Sequence, residues 1–156
     1  MKVLFMCTAN SCRSVLCEGL FNLMAPQGLS AASAGSMPSG RLNPRAVSTL
    51  QALGADTSAL FSKGSDSFAE HPPEVVITVC DQAAGEPCPV YFGPALKSHW
   101  GLADPSEVTG SPEQIQAAFD ATVIHIRQRL TAFFALDLNA LGPAELKLAL
   151  NRIGDL

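Results

Sequence analysis

Charge is scarce in this chain. Asp, Glu, Lys and Arg make up 15% of its 156 residues, and 10 basic side chains face 14 acidic ones for a net charge of −4. With no basic run present, nucleic acid and anionic lipid are excluded as general partners. No stretch approaches the ~18 consecutive apolar residues of a membrane span. Met1-Lys2 leads into too few apolar residues before Thr8 to form a signal-peptide core, so a cytoplasmic protein is the expectation. Histidine, at three, gives no His/Cys cluster with metal-ligand spacing, and a zinc site is not expected.

What the chain does have is apolar bulk and cysteine. Hydrophobic residues reach 47%, enough at this length for one domain with a sizeable core. The five cysteines, Cys7, Cys12, Cys17, Cys80 and Cys88, are an odd number without an export signal. That points to reactive or transient sulfur chemistry rather than a structural disulfide framework.

The most informative segment is Cys7-Thr8-Ala9-Asn10-Ser11-Cys12-Arg13-Ser14, which follows the apolar run Val3-Leu4-Phe5-Met6 and precedes a helical pattern. It occupies a strand-to-helix turn, where successive backbone N–H groups face inward and the helix N-terminus adds partial positive charge. Residues Thr8, Ala9, Asn10, Ser11, Cys12 and Arg13 thus form a candidate oxyanion-binding loop, with Arg13 able to fork two hydrogen bonds onto the anion. The same field favours the thiolate of Cys7, the form that attacks. Ser14 can donate a hydrogen bond to that thiolate, and Asn10 is placed to brace the turn from inside.

Around this turn the pattern is α/β. Strands are expected over 3–6, 30–34, 74–79 and 97–100, with Val75-Val76-Ile77-Thr78-Val79 apolar on both faces as a central parallel strand requires. Helices are expected over 14–24, from Pro44 behind the cap Asn43 to Gly54, from Pro112 behind the capping box Ser111/Gln114 to Leu130, and over 144–153. Residues 81–95 read as a Gly- and Pro-rich loop. The fold class is a small parallel sheet of about four strands flanked by helices, and the anion turn falls at a strand's carboxyl end, where such sheets place ligands. Residues 1–130 form the main domain and 131–156 a helical extension packed on it.

The run Val3–Ser14 resembles the opening of the low-molecular-weight tyrosine phosphatase superfamily, and within it the arsenate reductases built on that fold. The likeness continues through Gly35, Asn43-Pro44-Arg45-Ala46, Thr78-Val79-Cys80-Asp81, Cys88-Pro89 and His99-Trp100-Gly101 to Asp104-Pro105, covering roughly 3 to 130. The resemblance implies Cys7 as nucleophile, Arg13 as the clamp on arsenate, with phosphate or sulfate as analogues, and Asp104 as general acid for the departing oxygen. It further implies a relay in which Cys80 attacks Cys7, releasing arsenite, and Cys88 then attacks Cys80. A thioredoxin, or glutathione with glutaredoxin, would restore the thiols. Ala9 stands where this turn commonly has glycine. In some relatives a potassium ion steadies the turn, and Asn10, Glu18, Ser33 and Asp66 stand at the matching places; no tightly bound cofactor is expected beyond it.

Two rival readings stay open. A phosphatase would need only Cys7, Arg13 and Asp104, and would retain the further cysteines without using them. Ser106 and Glu107 follow the Asp-Pro where such phosphatases carry aromatic residues, and one Tyr and one Trp are little material for an aryl slot. A non-catalytic oxyanion-binding module would saturate with phosphate or sulfate and turn over nothing. Cys12 is either a core thiol or a partner for Cys7 under oxidation, Cys17 reads as core, His99 as a packing residue and His125 as solvated.

Overall fold

The structure is a computed structural model that describes residues 1–80 and 94–156. Cys88, and residues 81–93 of the loop expected over 81–95, lie outside the described residues. Strands β1 (Lys2–Cys7), β2 (Ser30–Gly35), β3 (Val75–Thr78) and β4 (Leu96–His99) pair in parallel in the order β2-β1-β3-β4. Helices α1 (Arg13–Met24), α2 (Pro44–Ala52), α3 (Pro112–Phe134) and α4 (Pro143–Gly154) complete the fold.

Alternation along β1 distributes the core. Val3, Phe5 and Cys7 point to a large cluster to which all four helices contribute, while Leu4 and Met6 join Ala32, Ala34, Phe68 and Val76 on the opposite face. On the larger side Phe5, Phe21, Trp100 and Phe133 interlock, with ring centroids 5.7 to 6.4 Å apart. At the edge strand β2, the Asn22 carboxamide of α1 pairs with the backbone of Ala31, accepting its N–H at 2.8 Å and donating to its carbonyl at 3.0 Å.

The helix starts follow their caps. Asn43 Oδ1 accepts the N–H groups of Arg45 and Ala46 at 2.9 and 3.0 Å, and the Ser111/Gln114 capping box closes at 3.2 and 2.8 Å. The C-terminal boundary differs from the sequence expectation. α3 runs past residue 130 to Phe134 because Leu130 and Phe133 share its buried face and Phe134 packs on Phe21. Residues 131–156 share the core with the preceding ones. Leu146, Leu150 and Ile153 are buried, Trp100 Nε1 donates to the Leu150 carbonyl at 2.9 Å, and Ser98 Oγ donates to Asn151 Oδ1 at 2.8 Å.

Arg129, buried on α3, ties these parts together by donating to the carbonyls of Gly101, Gly154 and Leu156 at 3.0, 3.1 and 3.3 Å. His125 is not simply solvated, since its Nε2 lies 2.7 Å from the Leu156 carbonyl oxygen. Phe133 is fully buried between Phe21 and Trp100. Phe133→Ala should therefore cost about 3–5 kcal/mol, read as a lowered midpoint in urea unfolding followed by circular dichroism. A loss below ~1 kcal/mol would mean that this cluster does not anchor α3 to the sheet.

Candidate active site at the strand ends

Cys7 is the last residue of β1, and the chain reverses through residues 8–12 into α1. The turn's carbonyls are tied outward. Those of Cys7, Thr8, Ala9 and Ser11 accept the N–H groups of Ser36, Met37, Ser39 and Asn43 at 2.8 to 3.3 Å. In a trans peptide the carbonyl and the next N–H point in opposite directions. The N–H groups of Thr8, Ala9, Asn10 and Cys12 are thereby aimed into the cleft. Gly35 makes the outer support close enough: a Cβ there would collide with the Thr8 carbonyl oxygen and sit 2.9 Å from the Asn10 nitrogen.

Asn10 is fully buried and takes the left-handed conformation, φ 47°, that asparagine tolerates better than most side chains. Its amide makes three hydrogen bonds. Nδ2 donates to Ser14 Oγ and Ser33 Oγ, both at 2.9 Å, and Oδ1 accepts the Lys63 N–H at 2.9 Å. Because Ser14 Oγ accepts from Asn10, its single proton is free to point at Cys7 Sγ, 2.9 Å away. The Asn10 N–H donates to the same sulfur at 3.2 Å. Two donors thus converge on Cys7 Sγ.

Opposite the turn, Arg13 Nη1 donates to the Leu102 carbonyl at 3.2 Å and Nη2 lies 3.4 Å from Asp104 Oδ2. A guanidinium carries five N–H donors, so these contacts fix its plane and leave donors for an oxyanion. Asp104 in turn accepts the Ser106 N–H at 3.0 Å and the Ser106 hydroxyl at 2.6 Å, which fixes its carboxylate at the cleft. Cys80 follows β3, the neighbour of β1, and its Sγ lies 3.5 Å from Thr8 Oγ1. Cys7, Thr8, Ala9, Ser11, Cys12, Arg13, Cys80, Asp104, Ser106 and Glu107 line one cavity of about 340 Å³. A larger hollow of about 420 Å³ lies between residues 26–29 and 133–139 and is lined by no cysteine, histidine or arginine, so it does not compete as the reactive site.

The structure therefore brings the turn residues, Cys80 and Asp104 to one cleft, and Glu18 and Ser33 to the network behind it. Ser33 Oγ donates to Glu18 Oε1 at 2.6 Å. Asp66 sits on the short helical turn Ser65–Phe68 with a carboxylate oxygen over Gly64. Sequence reasoning missed Lys63 and the Leu102 carbonyl. No spacing rule signals a lone loop lysine or a backbone acceptor, although Ser106 and Glu107 could have been found from their place after Asp104-Pro105.

The four described cysteines are unpaired thiols with different chemistry. Cys12 is pushed up to about 12, by burial first and then by the Asp104 carboxylate, and burial also pushes Cys17 up. A raised thiol stays protonated below its pKa, so neither supplies thiolate near neutral pH. Iodoacetamide at pH 8 should thus label Cys7 well ahead of Cys12 and Cys17. Peptide mass spectrometry that finds Cys12 labelled first would contradict the arrangement.

Comparison with known proteins fits this geometry. Over 131 residues the chain is 34% identical to an arsenate reductase of Bacillus licheniformis, covering 84% of this chain and 93% of that protein. Among solved structures it resembles an arsenate reductase in the phosphate binding state, at 25% identity and a TM-score of 0.64 over 83% of this chain and 96% of the other. It also resembles a thioredoxin-dependent arsenate reductase from Corynebacterium glutamicum, at 28% identity and a TM-score of 0.59, over 81% of this chain and 58% of that one. The sequence pattern of the low molecular weight phosphotyrosine protein phosphatases matches residues 2–146, well past the Asp104-Pro105 site. On the parallel sheet, the Cys7–Ser14 turn and this match together, the chain belongs to the low molecular weight phosphotyrosine protein phosphatase family.

Proposed function

We propose that this chain reduces arsenate to arsenite by a thiol relay that starts at Cys7. The observation that carries the reading is a second thiol, Cys80, in the wall of the same cavity as Cys7 and 3.5 Å from the turn residue Thr8. A phosphatase needs one thiolate and an acid, whereas reduction consumes two electrons and so requires a second sulfur within reach of the first. The curated arsenate reductase relative supports the reading.

In the proposed sequence, the Cys7 thiolate attacks arsenic and Asp104 protonates the departing oxygen, which leaves as water. Arg13 and the inward N–H groups of the turn hold the equatorial oxygens. Cys80 then attacks the Cys7 sulfur. The S–As bond breaks with its electron pair passing to arsenic, arsenite leaves, and a Cys7–Cys80 disulfide remains. Cys88 attacks Cys80 and returns Cys7 as a thiolate. A dithiol carrier of thioredoxin or glutaredoxin type reduces the Cys80–Cys88 disulfide by exchange. The thioredoxin dependence of the Corynebacterium glutamicum relative supports such a donor, and a reducing cytoplasm is the compartment that would supply it.

The rival reading is hydrolysis of a phosphate ester, favoured by one observation: Cys7, Arg13 and Asp104 form a set sufficient for that reaction within the same cavity. The two readings separate experimentally. Reduced protein incubated with arsenate, quenched with a thiol-blocking reagent and mapped by mass spectrometry should contain an arsenate-dependent Cys80–Cys88 bond that Cys7→Ser lacks. All five thiols remaining free while an aryl phosphate is hydrolysed would make the chain a phosphatase. Cys80→Ser should lower arsenate turnover by on the order of 10³-fold while any ester hydrolysis survives. Asp104→Asn should slow both reactions by roughly 10²–10⁴-fold, the range of a lost general acid.

A further inference from the structure

Behind the oxyanion turn lies a buried acid that the chemistry at Cys7 does not use. Glu18, on α1, is 7% exposed, and its Oε1 accepts the Ser33 hydroxyl at 2.6 Å. A lone carboxylate there would be costly to bury and would oppose negative charge on the thiolate and on a bound oxyanion. The countercharge comes from Lys63, whose Nζ lies 3.6 Å from Glu18 Oε1. Lys63 is also fixed at three other points. Its N–H donates to Asn10 Oδ1 at 2.9 Å, its carbonyl accepts the Gly35 N–H at 2.9 Å, and its ammonium donates to the Phe61 carbonyl at 3.1 Å.

These contacts test whether Asn10, Glu18, Ser33 and Asp66 fit a potassium ion. Asn10 Oδ1 already accepts from Lys63, and Glu18 Oε1 already faces both Ser33 and the Lys63 ammonium. The Asp66 carboxylate lies over Gly64, 2.6 Å from where a Cβ would stand. The place of a cation beside Glu18 Oε1 is thus already taken by the Lys63 ammonium.

We propose that Lys63 is a positioning residue that carries the cation of this site on its own side chain. Its ammonium neutralises Glu18, and its backbone holds the Asn10 amide that orders Ser14 and Cys7, so the site needs no monovalent metal ion. This rests on Cys7 being the thiolate nucleophile of an oxyanion turn, and it does not require that arsenate be the substrate.

The rate of Cys7 alkylation at pH 7, followed on its peptide by mass spectrometry, tests it in the full chain. Wild type, Lys63→Met, Lys63→Arg and the double variant Glu18→Gln/Lys63→Met are compared in potassium chloride and tetramethylammonium chloride of equal ionic strength, with folding checked by circular dichroism. Wild type and Lys63→Arg should react equally fast in the two salts. Lys63→Met should react about tenfold more slowly in tetramethylammonium and recover severalfold in potassium. The double variant, with no charge left to neutralise, should be indifferent to the salt.

Acceleration of wild type by potassium would overturn the assignment. So would a Lys63→Met chain that matches wild type, or one slowed equally in both salts, which is what a purely structural role would produce. If Lys63→Met does not fold and the double variant does, an unneutralised Glu18 is the cause and the assignment stands. If both fail to fold while Lys63→Arg folds, Lys63 serves stability alone and the assignment falls. A chain that behaves as expected here yet leaves arsenate unreduced would keep the Lys63 assignment and lose the reductase reading.

Discussion

Asn10 holds a backbone angle that few side chains tolerate, and its amide, which donates two hydrogen bonds and accepts one, keeps it there. That single left-handed residue lets the chain reverse between β1 and α1 in five residues. With the reversal fixed, the turn's carbonyls meet the 36–43 segment and its N–H groups meet the cleft. The sulfur of Cys7 receives both the Asn10 N–H and the Ser14 hydroxyl as a direct result. The anion cradle and the activated thiol are two outcomes of one backbone conformation.

The scarcity of charge takes on meaning at this turn. Three ion pairs occur among the described residues, and two of them, Arg13–Asp104 and Lys63–Glu18, flank Cys7 on opposite sides. One faces the cleft, where its members can exchange partners with an oxyanion. The other is buried behind the turn, where breaking it would leave an uncompensated charge. A chain poor in ionisable groups thus sets two of these pairs where negative charge must be received and balanced.

How much of this could be read beforehand depends on how local the cause is. β1 was legible because four consecutive apolar residues run into the Cys7 turn, and the starts of α2 and α3 because Asn43 and Ser111 satisfy N–H groups two and three residues away. The neighbouring placement of Cys7 and Cys80 followed from two strands ending at the same side of a parallel sheet. The end of α3 was misjudged because Phe133 and Phe134 are held by Phe21, a contact across the sequence that no periodicity encodes. Arg129 is buried for the same kind of reason, its partners being carbonyls of a distant loop at Gly101 and of the end of α4 at Gly154.

The pairing of Asn22 with Ala31 matters beyond its two hydrogen bonds. β2 is an edge strand of small residues, the kind of surface on which another chain can add a strand and begin to aggregate. A carboxamide presents the same donor and acceptor as a peptide group, so Asn22 stands in for the strand that would come next. At the other end of β2 the Lys63 carbonyl takes the outward N–H of Gly35. This edge of the sheet is covered by a side chain at one end and by the same loop that braces the active site at the other, which couples the protection of the edge to the integrity of the turn.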